Sequence, residues 1–134
     1  MSQAITARIE RFKSIGKKLK EERKRSDATF KAYILEIYKH INEIGIFVFD
    51  SPWRGPIYKI RILPDMLVKY GPLGDVVDKV DIKDESDLLG YLEEMSWSSL
   101  SIPRLEMTMQ SVGSWIDRYV SIASVKKRAK ELMK

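Results

Sequence analysis

Apolar residues at Ile5, Ile9, Phe12, Ile15 and Leu19 recur every three or four positions, the period of one face of an α-helix. They predict a first helix over residues 3–25, with Gly16 as a weak point that costs about 1 kcal/mol against Ala. Ser26 and Asp27 are good N-cap residues and predict a break, followed by a second helix. There Phe30, Ile34, Ile37, Ile41 and Ile44 step by four, three, four and three, a seam close to a heptad. Tyr33 and Tyr38 widen that face, and Gly45 supplies a stop. The opening 45 residues therefore read as a helical hairpin.

The pattern then changes. Residues 46–49 form a short β-favouring run, a turn-rich stretch follows through Pro56, and residues 57–63 alternate in part. Together they predict a small β-hairpin with a long loop. Pro64 ends the second run, and Gly71, Pro72 and Gly74 punctuate again. Val76, Val77, Val80 and Ile82 fit a further short strand. Ser86 is the expected cap of a short helix over residues 87–95, and Pro103 suits the first turn of another. From there Leu105, Met109, Val112, Ile116, Val120 and Ala123 keep helical spacing, broadened by Trp115 and Tyr119. The tail repeats the period at Val125, Ala129 and Leu132. The expected fold class is mainly α: an N-terminal helical hairpin and C-terminal helices, with a small β-hairpin or extended segment between them. Residues 1–45 are the basic arm and hairpin and residues 46–134 the mixed middle segment and C-terminal helices, expected by length to form one structural unit.

Charge sharpens this picture. Residues 1–25 carry nine basic and three acidic side chains, and residues 118–134 carry six and one. The net charge of the whole chain is +5, so the middle is acidic. Such asymmetry points to separate surfaces for separate partners. Asn and Gln are scarce, Cys is absent and charged residues make up 32% of the chain, a bias reported for proteins that work at high temperature. Without Cys there is no disulfide or thiolate metal site. No apolar run approaches the ~18 residues that span a bilayer, and no signal peptide is evident.

Enzyme chemistry finds little support. His40 is the single histidine, and neither a second His nor a Cys accompanies it to build a site. No Gly-rich phosphate loop and no nucleophile elbow is present. Asp78, Asp81 and Lys83 resemble the metal-binding signature of RecB-like nucleases, including CRISPR-associated members. In that family an Asp on one strand and an acidic-x-Lys on the next hold divalent ions for phosphodiester hydrolysis. Here the two aspartates are three residues apart, which leaves no room for a turn and a second strand. The upstream histidine and a downstream Gln-x-x-x-Tyr are missing too. The expectation is a protein that is not an enzyme and holds no metal or cofactor, with an inactive descendant of such a nuclease left open.

The basic ends carry the functional signal. Arg8, Arg11, Lys13, Lys17, Lys18, Lys20, Arg23, Lys24 and Arg25 surround the first apolar stripe, and Lys126, Lys127, Arg128 and Lys130 surround the last. A solvated face is the ordinary meaning of a charge run, and an anionic membrane is a second counterpart. The density of cations favours a nucleic-acid backbone, bound through phosphates without sequence reading. Trp115 is expected in the core, whereas Trp53 and Trp97 fall in loop-like segments where aromatics often fill subunit contacts.

A basic helical hairpin, later helices, no catalytic set, small size and this composition resemble the nucleocapsid proteins of filamentous viruses of hyperthermophilic archaea. Some of those coat proteins are thought to derive from the nuclease family above, which fits the segment around Asp78. The resemblance implies a dimer of self or related coat proteins whose helices wrap double-stranded DNA in a virion. The expected function is thus sequence-independent packaging of double-stranded DNA in a helical assembly. The alternative is a cellular nucleoid-associated protein or transcription regulator of a thermophile, located in the cytoplasm or nucleoid.

Overall fold

A single helix, α1 (Ser2–Tyr38), replaces the expected hairpin. The computed structural model describes residues 2–134, except the side chains of residues 2–5, 12, 116 and 117. The stripe positions Ile5, Phe12 and Ile116 therefore lie outside the described side chains. Ser26 and Asp27 do not cap a new helix because Asp27 is turned to other work. Its carboxylate accepts from Trp53 Nε1 at 2.6 Å and meets the Lys31 ammonium at 2.8 Å. A side chain held by tertiary partners no longer competes for local backbone N–H groups. Asp and Ser inside a helix cost only about 0.7 kcal/mol each or less in propensity. Burial of Phe30, Ile34, Leu35 and Ile37 in the same helix offsets that, at about 1.5–3 kcal/mol for each large side chain.

After Tyr38 the chain turns into one helical turn, α2 (Ile41–Ile44), which Gly45 ends at a φ of 85°. Four strands follow: β1 (Phe47–Asp50), β2 (Lys59–Ile62), β3 (Met66–Tyr70) and β4 (Val76–Asp81). They form an antiparallel sheet in the order β1-β2-β3-β4. With helix at 60% and strand at 17% the fold is α+β, which corrects the mainly α expectation. The expected β-hairpin is β1 with β2, and the further strand expected at Val76 is β4. What the pattern concealed is β3, whose Leu67, Val68 and Lys69 are all buried, so no alternation marks it. Pro64 sits in the tight β2–β3 connection, where Leu63 N–H donates to Met66 O at 2.8 Å.

One face of the sheet packs on α1. Phe47 and Phe49 of β1, Ile60 and Ile62 of β2 and Leu67 of β3 are buried in one cluster with Phe30, Ile34 and Ile37. Phe30 meets Phe49 and Trp53 edge-on, with ring centres 5.6 and 5.3 Å apart. Helix α3 (Glu85–Glu93) is capped by Asp84, whose side chain accepts from Asp87 N, and not by Ser86. A 3-10 turn (Trp97–Ser99) leads to α4 (Ile102–Tyr119), which lies beside β1. Trp115 of α4 packs on Phe47 at 5.8 Å, as the spacing indicated. Ser121 then caps α5 (Ile122–Leu132), so the C-terminal stripe is split between two helices. Trp53 departs from expectation, being 1% exposed in the core instead of waiting at a subunit contact.

Candidate nucleic-acid interface

Two halves of α1 have opposite surroundings. Residues 27–38 are almost wholly buried, whereas every described side chain over residues 7–22 is exposed. At 1.5 Å per residue the exposed part is an arm about 25 Å long. Its apolar stripe continues the core-facing side of the helix, because Leu19 lies about five turns before Ile37. Beyond the sheet that side is exposed among the described residues. Ile9, Ile15 and Leu19 are 49%, 49% and 55% exposed. Among the described residues the stripe is an apolar face about half exposed.

The cations fall into rows on the rest of the arm. Arg11, Lys18 and Arg25 recur every seven residues, and Lys13, Lys17, Lys20 and Lys24 step by four, three and four. Both spacings keep side chains near one line of a helix. Arg8, Arg11, Lys13, Lys17, Lys18, Lys20 and Arg25 are all exposed. Among the described residues, none of these joins an ion pair.

The other expected cations divide. Arg23 donates from Nη1 to Leu100 O at 2.6 Å. Lys24 sits over the Trp97 ring, 5.0 Å from its centre. Both therefore fasten the root of the arm to the segment before α4. Arg128 donates from Nε to Glu36 Oε1 at 2.7 Å and also meets Glu85, tying α5 to α1 and α3. A guanidinium held between carboxylates is largely neutralised toward a further anion. Lys126, Lys127 and Lys130 stay exposed on the outer side of α5, whose Val125 and Ala129 are buried. Helix α5 runs antiparallel to α1: Arg128 meets Glu36, while Leu132 and Met133 line a hollow with Lys24 and Ala28. The fold thus brings the C-terminal lysines toward the root of the N-terminal arm, which sequence could not reveal.

The acidic segment does not assemble the paired-carboxylate arrangement. Asp78 lies opposite Lys69 and Asp81 opposite Met66 in regular β4 pairing. Three residues apart on a strand, their side chains leave opposite faces. Both are exposed, and no group of three His, Cys, Asp or Glu suited to a metal occurs among the described residues. His40 stacks at a tilt near Tyr119, with ring centres 5.5 Å apart. Among the described residues no helix is long and apolar enough to cross a membrane. No protein family, curated protein or solved structure was found to match this chain.

Proposed function

We propose that this protein is a non-enzymatic structural protein that coats double-stranded DNA without reading its sequence. The observation that carries the proposal is the arm of α1, a helical segment outside the body whose cations meet no carboxylate among the described residues. Like charges at Lys13 and Lys17, four residues apart, weaken an isolated helix by a few tenths of a kcal/mol. A line of phosphates turns that repulsion into attraction and releases counterions. Residues 7–22 contain no Asn or Gln, side chains suited to paired hydrogen bonds with a base edge. The arm's basic chemistry therefore favours backbone binding over base readout. Lys126, Lys127 and Lys130 extend the cationic surface at the root.

Coating also needs contact between neighbours. The exposed stripe of Ile9, Ile15 and Leu19 supplies an apolar surface for a second copy or a related subunit, once DNA has neutralised the charges around it. A nucleocapsid of a filamentous virion is the narrower form of this reading and draws on the resemblance alone. In the decisive experiment Lys17, Lys18 and Lys20 are each changed to Glu. DNA binding is expected to disappear while the thermal midpoint stays within a few degrees. Unchanged affinity at moderate salt would overturn the proposal. A particular site bound ~10³-fold tighter than random duplex would replace coating with regulation.

A further inference from the structure

The face of the sheet turned away from α1 holds a cleft of about 440 Å³, a size in the range of small-ligand pockets. Strand alternation decides its chemistry. Ile60 and Ile62 enter the core, so Lys59 and Arg61 occupy the outer face. Tyr58 sits beside Tyr70, to whose carbonyl its backbone N–H donates at 2.8 Å. Arg104, from α4, lies over the Tyr58 ring at 4.8 Å, and Arg61 lies over the Tyr70 ring at 5.4 Å. Two arginine–tyrosine stacks therefore stand side by side along the cleft.

Their charges are poorly satisfied by the protein. Among the described residues neither guanidinium meets a carboxylate, and Arg104 donates only to Trp53 O, at 3.3 Å. Among the described residues Asp50 is the one carboxylate lining the cleft. It meets Lys59 at 3.9 Å with both side chains more than half exposed, a pair that contributes little in water. A guanidinium resting on a ring keeps in-plane N–H donors for an anion. Tyrosine rings meanwhile offer stacking surface to a planar base. Rings and cations over one space suit a ligand that is planar at one end and phosphorylated at the other.

We propose that this cleft binds a nucleotide unit, its base stacked on Tyr58 or Tyr70 and its phosphate held by Lys59, Arg61 and Arg104. The unit comes from a single-stranded nucleic acid or is a free nucleotide. Paired bases in a duplex are already stacked and do not reach such a cleft, so the site is separate from the cationic arm. It does not require that the arm bind DNA.

The test follows backbone amide signals of the full chain by NMR during titration with AMP, with inorganic phosphate and with a thymidine hexanucleotide. AMP is expected to shift signals from β2, β3 and the start of α4, and to bind at least about fivefold tighter than phosphate, the stacking contribution. Tyr58→Leu and Arg61→Gln, both exposed positions, each weaken AMP binding about fivefold or more, whereas Tyr58→Phe retains it. The arm variant with Lys17, Lys18 and Lys20 changed to Glu binds AMP as the wild type does. In that variant, a hexanucleotide bound tighter than AMP identifies a strand, and equal affinity identifies a free nucleotide. Cleft signals unmoved by AMP and hexanucleotide, or phosphate binding as tightly as AMP, would overturn the proposal. So would binding unaffected by both Tyr58→Leu and Arg61→Gln.

Discussion

Asp27 joins three parts of the chain through one carboxylate. It holds Trp53 Nε1 at 2.6 Å and Lys31 Nζ at 2.8 Å, and Lys31 donates in turn to Met95 O at 2.8 Å. All of this is buried or nearly so, where an unpartnered charge is expensive. Asp27→Ala strands an ammonium and an indole N–H together, and is expected to lower the unfolding free energy by about 3–5 kcal/mol. Asp27→Asn keeps an acceptor for Trp53 and should lose less. Urea unfolding measures both, and a loss below about 1 kcal/mol for Ala would show that the cluster is not a tie. Tyr38 gives a pH signature nearby. Its hydroxyl donates to Pro64 O at 3.2 Å. Burial raises its pKa above the ordinary 10.0, and Asp84, Asp87 and Asp65 raise it further by repelling the phenolate. The unfolded chain therefore ionises first, so it binds fewer protons than the folded one in this window. The resulting stability is whole below pH 10.0 and is lost as pH rises toward the folded value. Tyr38→Phe should flatten that decline, read as unfolding midpoints on either side of pH 10.0.

At the scale of elements, α1 is one helix under two regimes. Its body half is fixed by packing, whereas its arm depends on helix propensity and on whatever it binds. Gly16 lies in the arm with open space where a Cβ would stand. Gly16→Ala is therefore expected to stabilise the arm by up to about 1 kcal/mol, increasing far-UV helicity without moving the unfolding midpoint of the body. A shifted midpoint would mean that the arm folds with the body. Much of this was legible in the chain. Periodicity puts Ile9, Ile15 and Leu19 on one helix face and Phe30, Ile34 and Ile37 on another, but on two expected helices; that the two stripes continue along one helix comes from the structure. Periodicity reports which residues share a face, not whether anything covers it, so the exposure of the stripe was out of reach. The expected break at Ser26 and Asp27 fails for a related reason: local cap chemistry is visible in the sequence, but the Trp53 partner lies 26 residues away. Strand β3 hid because a buried run carries no alternation. In the candidate interface the arm cations could be named from sequence. The loss of Arg128 to Glu36 and Glu85, and the meeting of Tyr58 with Arg104, needed the tertiary fold.

For the whole molecule, the distribution of cations makes a quantitative demand. Exposed lysines and arginines run along the arm and, through Lys126, Lys127 and Lys130, over the outer side of α5 beside its root. The acidic residues Asp78 and Asp81 lie elsewhere, on the sheet strand β4. A duplex laid against the arm meets one side of it. Rows three to four and seven residues apart cannot all face the same groove, so about five phosphates are neutralised at once. Each contributes about −0.9 to the slope of log affinity against log salt, which gives a slope of about −4 to −5. Engagement of the α5 lysines as well would carry it toward about −7. Unrelated duplex sequences of equal length should fall on one line, because phosphates are the same in all of them. Changing Lys126, Lys127 and Lys130 to Glu then separates the two surfaces: a slope that becomes shallower places DNA across the root, and an unchanged slope confines it to the arm. A wild-type slope shallower than about −2 would leave too few phosphate contacts for backbone coating, and the arm would then belong to a protein partner instead.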